Sequence, residues 1–469
     1  MIKNIVSFQN RKHQFYFYLC LIFFTCILMR GIFSLYYFMY SGWDIGIYAR
    51  ALHQMGNDFI LNPYIEIINK GIFNDHLDPI ILLAAPLTRI FPANYVAYFV
   101  MALSIIFALI LFSRFAIKEQ TNPLVVLVCI SYMLLNDGIV KAIIYPPHPT
   151  TWAILPIFFL CFYIYREKNL PAFISFLALC FYKESFPFIG IPLCLVFYHR
   201  KNKKLAFGTI LISLLLIFFH KLYWHQIVGP ISDFGGRLIQ QLFNDPKTLL
   251  SNALSKSNIK MIFYLFGPVL ISAFAIRRFN PVFLFISSPL FAMQLLSGKW
   301  HLHYSASISL FIIFSLFSKK EIKPIKNFNS KILLIPLLFT LSHGAGPGIQ
   351  AIKVIKKEVS LQLDLKNSFN NVLKIIPREK KLSLLVTGSF IPHLYHYRTY
   401  GFSHNMQDTK IHDYVIIHKN GGDWFPVEPH DRERIIKNLN FLKNNILYED
   451  KNIGLLKGPL SEKHFIVNY

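Results

Sequence analysis

Apolar stretches of bilayer-crossing length recur along most of this chain, and that recurrence leaves few folds open. A hydrocarbon core about 30 Å thick takes roughly 20 mostly apolar helical residues per crossing. Such runs lie near residues 15–38, 93–113, 123–136, 150–165, 170–182, 186–198, 205–221, 259–276, 281–296, 304–317 and 332–342. They predict a polytopic α-helical membrane protein with about eleven transmembrane helices. At 469 residues, 54% hydrophobic and a mean hydropathy of +0.43, the chain is too apolar for a soluble enzyme and too long for a single anchor. The first run follows Lys3, Arg11 and Lys12 in the manner of a signal peptide, but no small-residue cleavage site ends it. It reads as a retained helix. The apolar stretch 79–92 is too brief to cross and suits a helix lying along the interface or dipping back into it.

Basic residues collect in alternate connections. One set carries Lys3, Arg11, Lys12, Arg114, Lys118, Arg166, Lys168, Arg200, Lys201, Lys203, Lys204, Arg277, Arg278 and the lysines at 319–331, whereas the short connections between them carry Lys141, Lys183 and Lys299. Because cytoplasmic loops hold the excess of Lys and Arg, this asymmetry predicts a cytoplasmic N-terminus. The net charge of +24 then reflects basic loops facing an anionic leaflet rather than nucleic acid. The opposite, outer face receives an acidic first loop (41–79), the Pro-Pro-His-Pro turn at 146–149, a long loop at 222–258, a His-rich turn at 299–304 and the C-terminal region.

From about residue 343 the composition turns polar after a Gly-rich linker. Apolar runs at 382–387 and 413–418 read as strands, and 363–375 and 432–444 have helical spacing. The division expected is a transmembrane helical domain over 1–342 and a small extracytoplasmic α/β domain over 343–469. Cys20, Cys26, Cys129, Cys161, Cys180 and Cys194 all fall in apolar runs, which indicates neither a disulfide framework nor a zinc site.

Ionisable groups near a bilayer are expensive and are functional candidates by default. In the first loop Asp44 stands in Gly-Trp-Asp-Ile-Gly, where a partly desolvated carboxylate can act as a general base towards a hydroxyl. Asp75 and His76 form a second pair. With Asp44 they offer the oxygen and nitrogen ligands of a divalent cation, although their spacing matches no known metal pattern. Asp78 precedes Pro79 at a helix start, so it reads as a cap. Prolines fix His148 at another helix start. Lys183 and Glu184 interrupt an apolar helix end and point about 100° apart, so each needs a partner elsewhere. Arg237 beside two glycines, and His301, His303 and Tyr304 at the start of a late helix, are candidate substrate contacts. Each also has a plainer reading as a solvated or structural residue.

The fragments WDIGIY, DHLDPI, PPHP, KES and HLHYSA, with GSFIPHLYHYR and DYVIIH near the C-terminus, together resemble the DUF2079 family of predicted membrane proteins. That family in turn is similar to the GT-C class of integral-membrane glycosyltransferases. The resemblance implies a GT-C-like fold in the inner membrane, a polyprenyl-phosphate-linked sugar donor reached through membrane lipid, and an acceptor activated by a first-loop acid at position 44. By that resemblance Asp75 and His76 are the neighbours of Asp44 in a catalytic group; Lys183, Arg237, His301 and His303 are read as candidate phosphate contacts, with Arg50, His148, Glu184 and Tyr304 as further substrate-binding candidates. Arg50 stands where the family pattern more often has Gln, and Asp78 where it has Ser, which bears on substrate identity. A transporter or lipid flippase and a non-catalytic scaffold remain open alternatives.

Overall fold

A computed structural model describes residues 42–119, 123–144, 147–220, 243–297, 305–318, 330–340, 363–402, 408–419 and 429–465, with scattered positions between 18 and 36. The first loop is the main departure from expectation, because 42–57 is a helix. This α1 (Gly42–Asn57) forms because Ile45, Tyr48, Ala49, Leu52 and Met55 recur at helical spacing and are all buried. A hairpin follows, with β1 (Tyr64–Ile65) antiparallel to β2 (Lys70–Gly71). Then come α2 (Ile72–Asp75), α3 (Ile80–Ala84) and a 3-10 turn (Ala85–Arg89). Pro79–Pro92 is thus short, broken helix.

The helical unit begins with α4 (Ala93–Glu119) and continues through α5 (Pro123–Leu135), α6 (Asp137–Ile144), α7 (Pro149–Trp152), α8 (Ile154–Tyr165), α9 (Asn169–Cys180), α10 (Gly190–His199) and α11 (Lys203–Phe218). After the undescribed 221–242 come α12 (Pro246–Ala253), α13 (Lys256–Ile276), α14 (Pro281–Ser297) and α15 (Ala306–Phe314). Part of the expected 222–258 loop is therefore helix, started by Asp245, whose carboxylate accepts from Thr248 N at 3.2 Å. Among the described residues two helices, α4 and α13, are long and apolar enough to cross a bilayer. The expected total of about eleven is not confirmed, and the first expected helix, 15–38, lies largely outside the described residues. Helices such as α8 and α9 have 12 residues, which rise only about 18 Å.

Buried aromatic side chains hold the helices together. Phe112 and Phe115 of α4 meet Phe314 of α15 and Phe317, with Phe115 stacked on Phe314 at a centroid distance of 5.1 Å. The unit has two chemically different ends. At one, Glu119 closes α4 beside Tyr165 and Arg166 at the end of α8, and Arg200 donates to the Ile164 carbonyl at 2.8 Å. At the other lie the start of α4, His148 and the turn after α9.

A helix over 363–375 and α17 (Pro429–Asn438) accompany a five-stranded sheet, for which the 363–375 helix is α16. The sheet order is β4 (Arg398–Gly401), β3 (Ser383–Val386), β5 (His412–His418), β7 (Ile453–Leu460), β6 (Ile446–Glu449). Strand β3 is parallel to both neighbours, and β7 is antiparallel to both of its own. The strands expected at 382–387 and 413–418 and the helix over 363–375 fall where the sequence placed them, whereas the helix expected over 432–444 is α17 followed by a 3-10 segment (Leu439–Asn445), and β4, β6 and β7 carry no sequence expectation. A 3-10 segment (Gly388–His393) carries the unit onto α1, where Gly46 faces the side chain of Ile391.

Candidate functional site

Two local features bring the first-loop acids to the helical unit. Ile80 N donates to the Phe181 carbonyl at 2.9 Å, laying residues 76–80 against the turn after α9. His148 caps α7, and its Nδ1 accepts from Thr150 N at 3.2 Å. A neutral imidazole that accepts at Nδ1 carries its proton on Nε2. That Nε2 lies 3.0 Å from the Tyr48 hydroxyl, so it donates to the phenol oxygen, and the phenol in turn donates to Asp78 Oδ2 at 2.9 Å. The relay His148, Tyr48, Asp78 therefore has a fixed direction.

Around this relay the remaining groups converge. The His76 ring lies edge-on to His148 at 5.8 Å, and its Nδ1 is 3.0 Å from Glu184 Oε1. Lys183 is 5% exposed and acts electrostatically on His76, Asp78 and Glu184. Asp75 is held by Lys70 at 2.7 Å. Asp44, half-buried in the first turn of α1, sits one turn before Tyr48 on the same helix face.

Protonation follows from this crowding. Burial pushes the Asp78 carboxyl up, against the pull of Lys183 and His76, to about 7. Burial also raises Tyr48 well above the usual phenol range, with the charges of Asp78, Asp75 and Asp44 adding to it. Burial and Lys183 press His76 down, but Glu184 and Asp75 outweigh them and leave it raised. Burial works against the Glu184 anion, yet His76, Lys183 and its own backbone N–H hold it at about 2. The His76–Glu184 contact is thus an ion pair.

Several sequence readings are corrected here. Asp78 is not a side-chain cap: Pro79 is the capping residue of α3, and the Asp78 carboxylate is turned inward to Tyr48. Lys183 and Glu184 lie in the turn after α9, not on a helix, which is why both reach one cluster. Arg50 belongs to a different contact. Its guanidinium is buried, pairs with Glu66 at 3.1 Å and donates to the Tyr395 carbonyl at 2.9 Å, so it joins the first loop to the C-terminal unit. Arg237, His301, His303 and Tyr304 lie outside the described residues. Among the described residues no group of three or more His, Cys, Asp or Glu side chains is arranged to hold a metal ion, so Asp44, Asp75 and His76 do not form the cation site their chemistry permits. The sequence signal for Tyr48 is its spacing of four from Asp44, which puts both on one helix face.

A family model described as a predicted membrane protein, DUF2079, matches residues 34–453. No curated protein matches the chain.

Proposed function

We propose, on the premise that this chain belongs to the DUF2079 family of predicted membrane proteins, that it is a GT-C-like glycosyltransferase working at the outer face of the inner membrane. The observation that supports this reading best is the gathering of Asp44, Tyr48, Asp75, His76, Asp78, His148, Lys183 and Glu184 from four separated stretches at one end of the helical unit. In this reading an acceptor hydroxyl oxygen attacks the anomeric carbon of a polyprenyl-phosphate sugar. The bond from that carbon to the phosphate oxygen breaks, its electron pair stays on the phosphate, and Asp44 takes the hydroxyl proton. Lys183 supplies positive charge where the leaving phosphate becomes more anionic. Arg237, His301, His303 and Tyr304 are further donor contacts under the same proposal.

The test is transfer from radiolabelled polyprenyl-phosphate sugars by purified protein in nanodiscs, with hydroxyl acceptors supplied as a panel. Asp44→Asn is expected to lose roughly 100-fold or more in rate, the range typical of a general base. Undiminished transfer by that variant removes Asp44 from the mechanism.

A second reading, proton-coupled transport, draws support from Asp78. A buried carboxyl near neutrality, hydrogen-bonded into a directed relay, is also what a proton-coupled carrier uses. Solute uptake into proteoliposomes driven by a pH gradient, abolished by Asp78→Asn, favours that reading over transfer.

A further inference from the structure

The far end of α1 carries a feature that neither the relay nor the proposed transfer uses. Immediately after the helix, Phe59, Ile60 and Leu61 stand exposed, Phe59 and Leu61 by 74% and 71%. Phe59 adopts φ 58°, a left-handed conformation that a bulky side chain rarely takes. What it achieves there is contact with Arg89, whose guanidinium carbon lies 4.6 Å over the ring. Arg89 is itself fixed, because its Nε donates to the Gly56 carbonyl at 2.8 Å. Thr88 strengthens the same junction by accepting from Asn57 at 3.1 Å. Ile90 and Phe91, next to Arg89 in the chain, are exposed as well, by 75% and 51%.

The position of this patch decides what it meets. Phe91 and Pro92 lead directly into α4, one of the two helices able to cross the bilayer, so the patch stands at the level where that helix leaves the hydrocarbon. Exposed apolar side chains from two stretches joined by the Arg89–Phe59 contact face acyl chains at that depth, and the exposed guanidinium at their junction faces phosphate. Asp44 lies 13 residues before Asn57 on α1, about 20 Å away along the axis, so a phosphate held here is not at the proposed reaction centre.

We propose that Arg89, with Phe59, Leu61, Ile90 and Phe91, forms a docking surface for an anionic phospholipid, the guanidinium binding the headgroup phosphate and the apolar side chains packing against the acyl chains. Arg89 also bonds Gly56, so its loss affects local structure, and Leu61→Asp supplies a variant that leaves that bond in place. The test uses the full-length protein in nanodiscs doped with photoreactive phosphatidylglycerol or with photoreactive phosphatidylcholine of the same chains. Labelling of the 59–61 and 83–91 peptides is expected to be at least several-fold stronger with the anionic lipid. Arg89→Gln should remove that preference, and Leu61→Asp should reduce labelling by both lipids. Inorganic phosphate in excess should not compete. Equal labelling by the two lipids in the unmodified protein overturns the proposal, as does labelling that survives Leu61→Asp or is displaced by inorganic phosphate. Asp44→Asn is expected to leave labelling unchanged, so the outcome is separable from that of the transferase assay.

Discussion

Tyr48 is the residue on which the cluster turns, because its one hydroxyl satisfies two buried partners, His148 and Asp78. Tyr48→Phe keeps the ring and leaves both without that bond, which costs about 1–3 kcal/mol per unsatisfied buried group. A fall in thermal unfolding temperature in detergent is the expected reading, and an unchanged transition would mean that the relay adds nothing to stability. Asp78 gives the pH dependence its sign. Its folded pKa of about 7 lies above the ordinary 3.8, so the folded state binds the proton more tightly. The resulting stability is present below about pH 3.8 and is lost as pH rises towards 7. Asp78→Asn, which is neutral throughout, is therefore expected to flatten the decline in unfolding temperature between pH 5 and 8. His76, also raised, contributes a decline of the same sign that survives in the variant. Glu184 is lowered to about 2, so its share appears above about pH 4.5 and is lost in acid, outside this window. At this scale Asp44, His76, His148, Lys183 and Glu184 were legible in sequence because charge and imidazole in apolar surroundings are conspicuous. Tyr48 and Asp78 were not, since a phenol looks like core and an acid before proline looks like a cap.

As an element, α1 owes its place to two glycines on opposite contacts. At Gly46 an added Cβ meets the Ile391 side chain, which can shift, whereas at Gly56 it meets the Ala85 carbonyl as well as Thr88 Oγ1. Backbone cannot move aside as a side chain can, so Gly56→Ala is expected to destabilise more than Gly46→Ala, with overpacking of this kind costing about 1–3 kcal/mol. Parallel melts of the two variants check the order, and a reversed order would mean that the turn at Ala85–Arg89 yields more readily than the 3-10 segment bearing Ile391. The helix was hidden in sequence behind its charges, although Ile45, Tyr48, Ala49, Leu52 and Met55 already carried the period. The C-terminal strands were readable because apolar runs of strand length, bounded by polar residues, have few other uses. Counting apolar runs served less well for the membrane helices, since a run predicts burial and says little about whether it stays straight for 30 Å.

Across the whole molecule, the helical unit and the C-terminal unit grip α1 from different sides. Ile45, Tyr48 and Leu52 belong to the core shared with the membrane helices, while Gly46 and Arg50 meet Ile391 and Tyr395. Charged contacts extend that second side, with Lys380 at 2.7 Å from Asp58 and Arg398 at 3.9 Å from Glu66. No pattern within 41–79 could announce this, because Arg50 and Tyr395 lie 345 residues apart and their contact uses a backbone carbonyl that any residue supplies. The Lys380 pair is solvent-facing and contributes little, and Arg398 reaches Glu66 only from an exposed position at 3.9 Å. Arg50 differs, because it and Glu66 are both buried and joined by two hydrogen bonds. Arg50→Ala removes both hydrogen bonds to the buried Glu66 carboxylate and leaves it only the more distant Arg398; breaking one side of a buried pair costs up to about 3–5 kcal/mol. Arg50→Lys keeps the charge but not the fork that reaches Glu66 and Tyr395 together, so it is expected to recover part of that loss. Hydrogen exchange localises the effect: amides of 42–57 should lose protection in Arg50→Ala while those of 93–119 keep theirs. Protection lost equally in both stretches would mean that α1 and the membrane helices open as one cooperative unit, and that the C-terminal unit does not separately hold the helix bearing Asp44 and Tyr48.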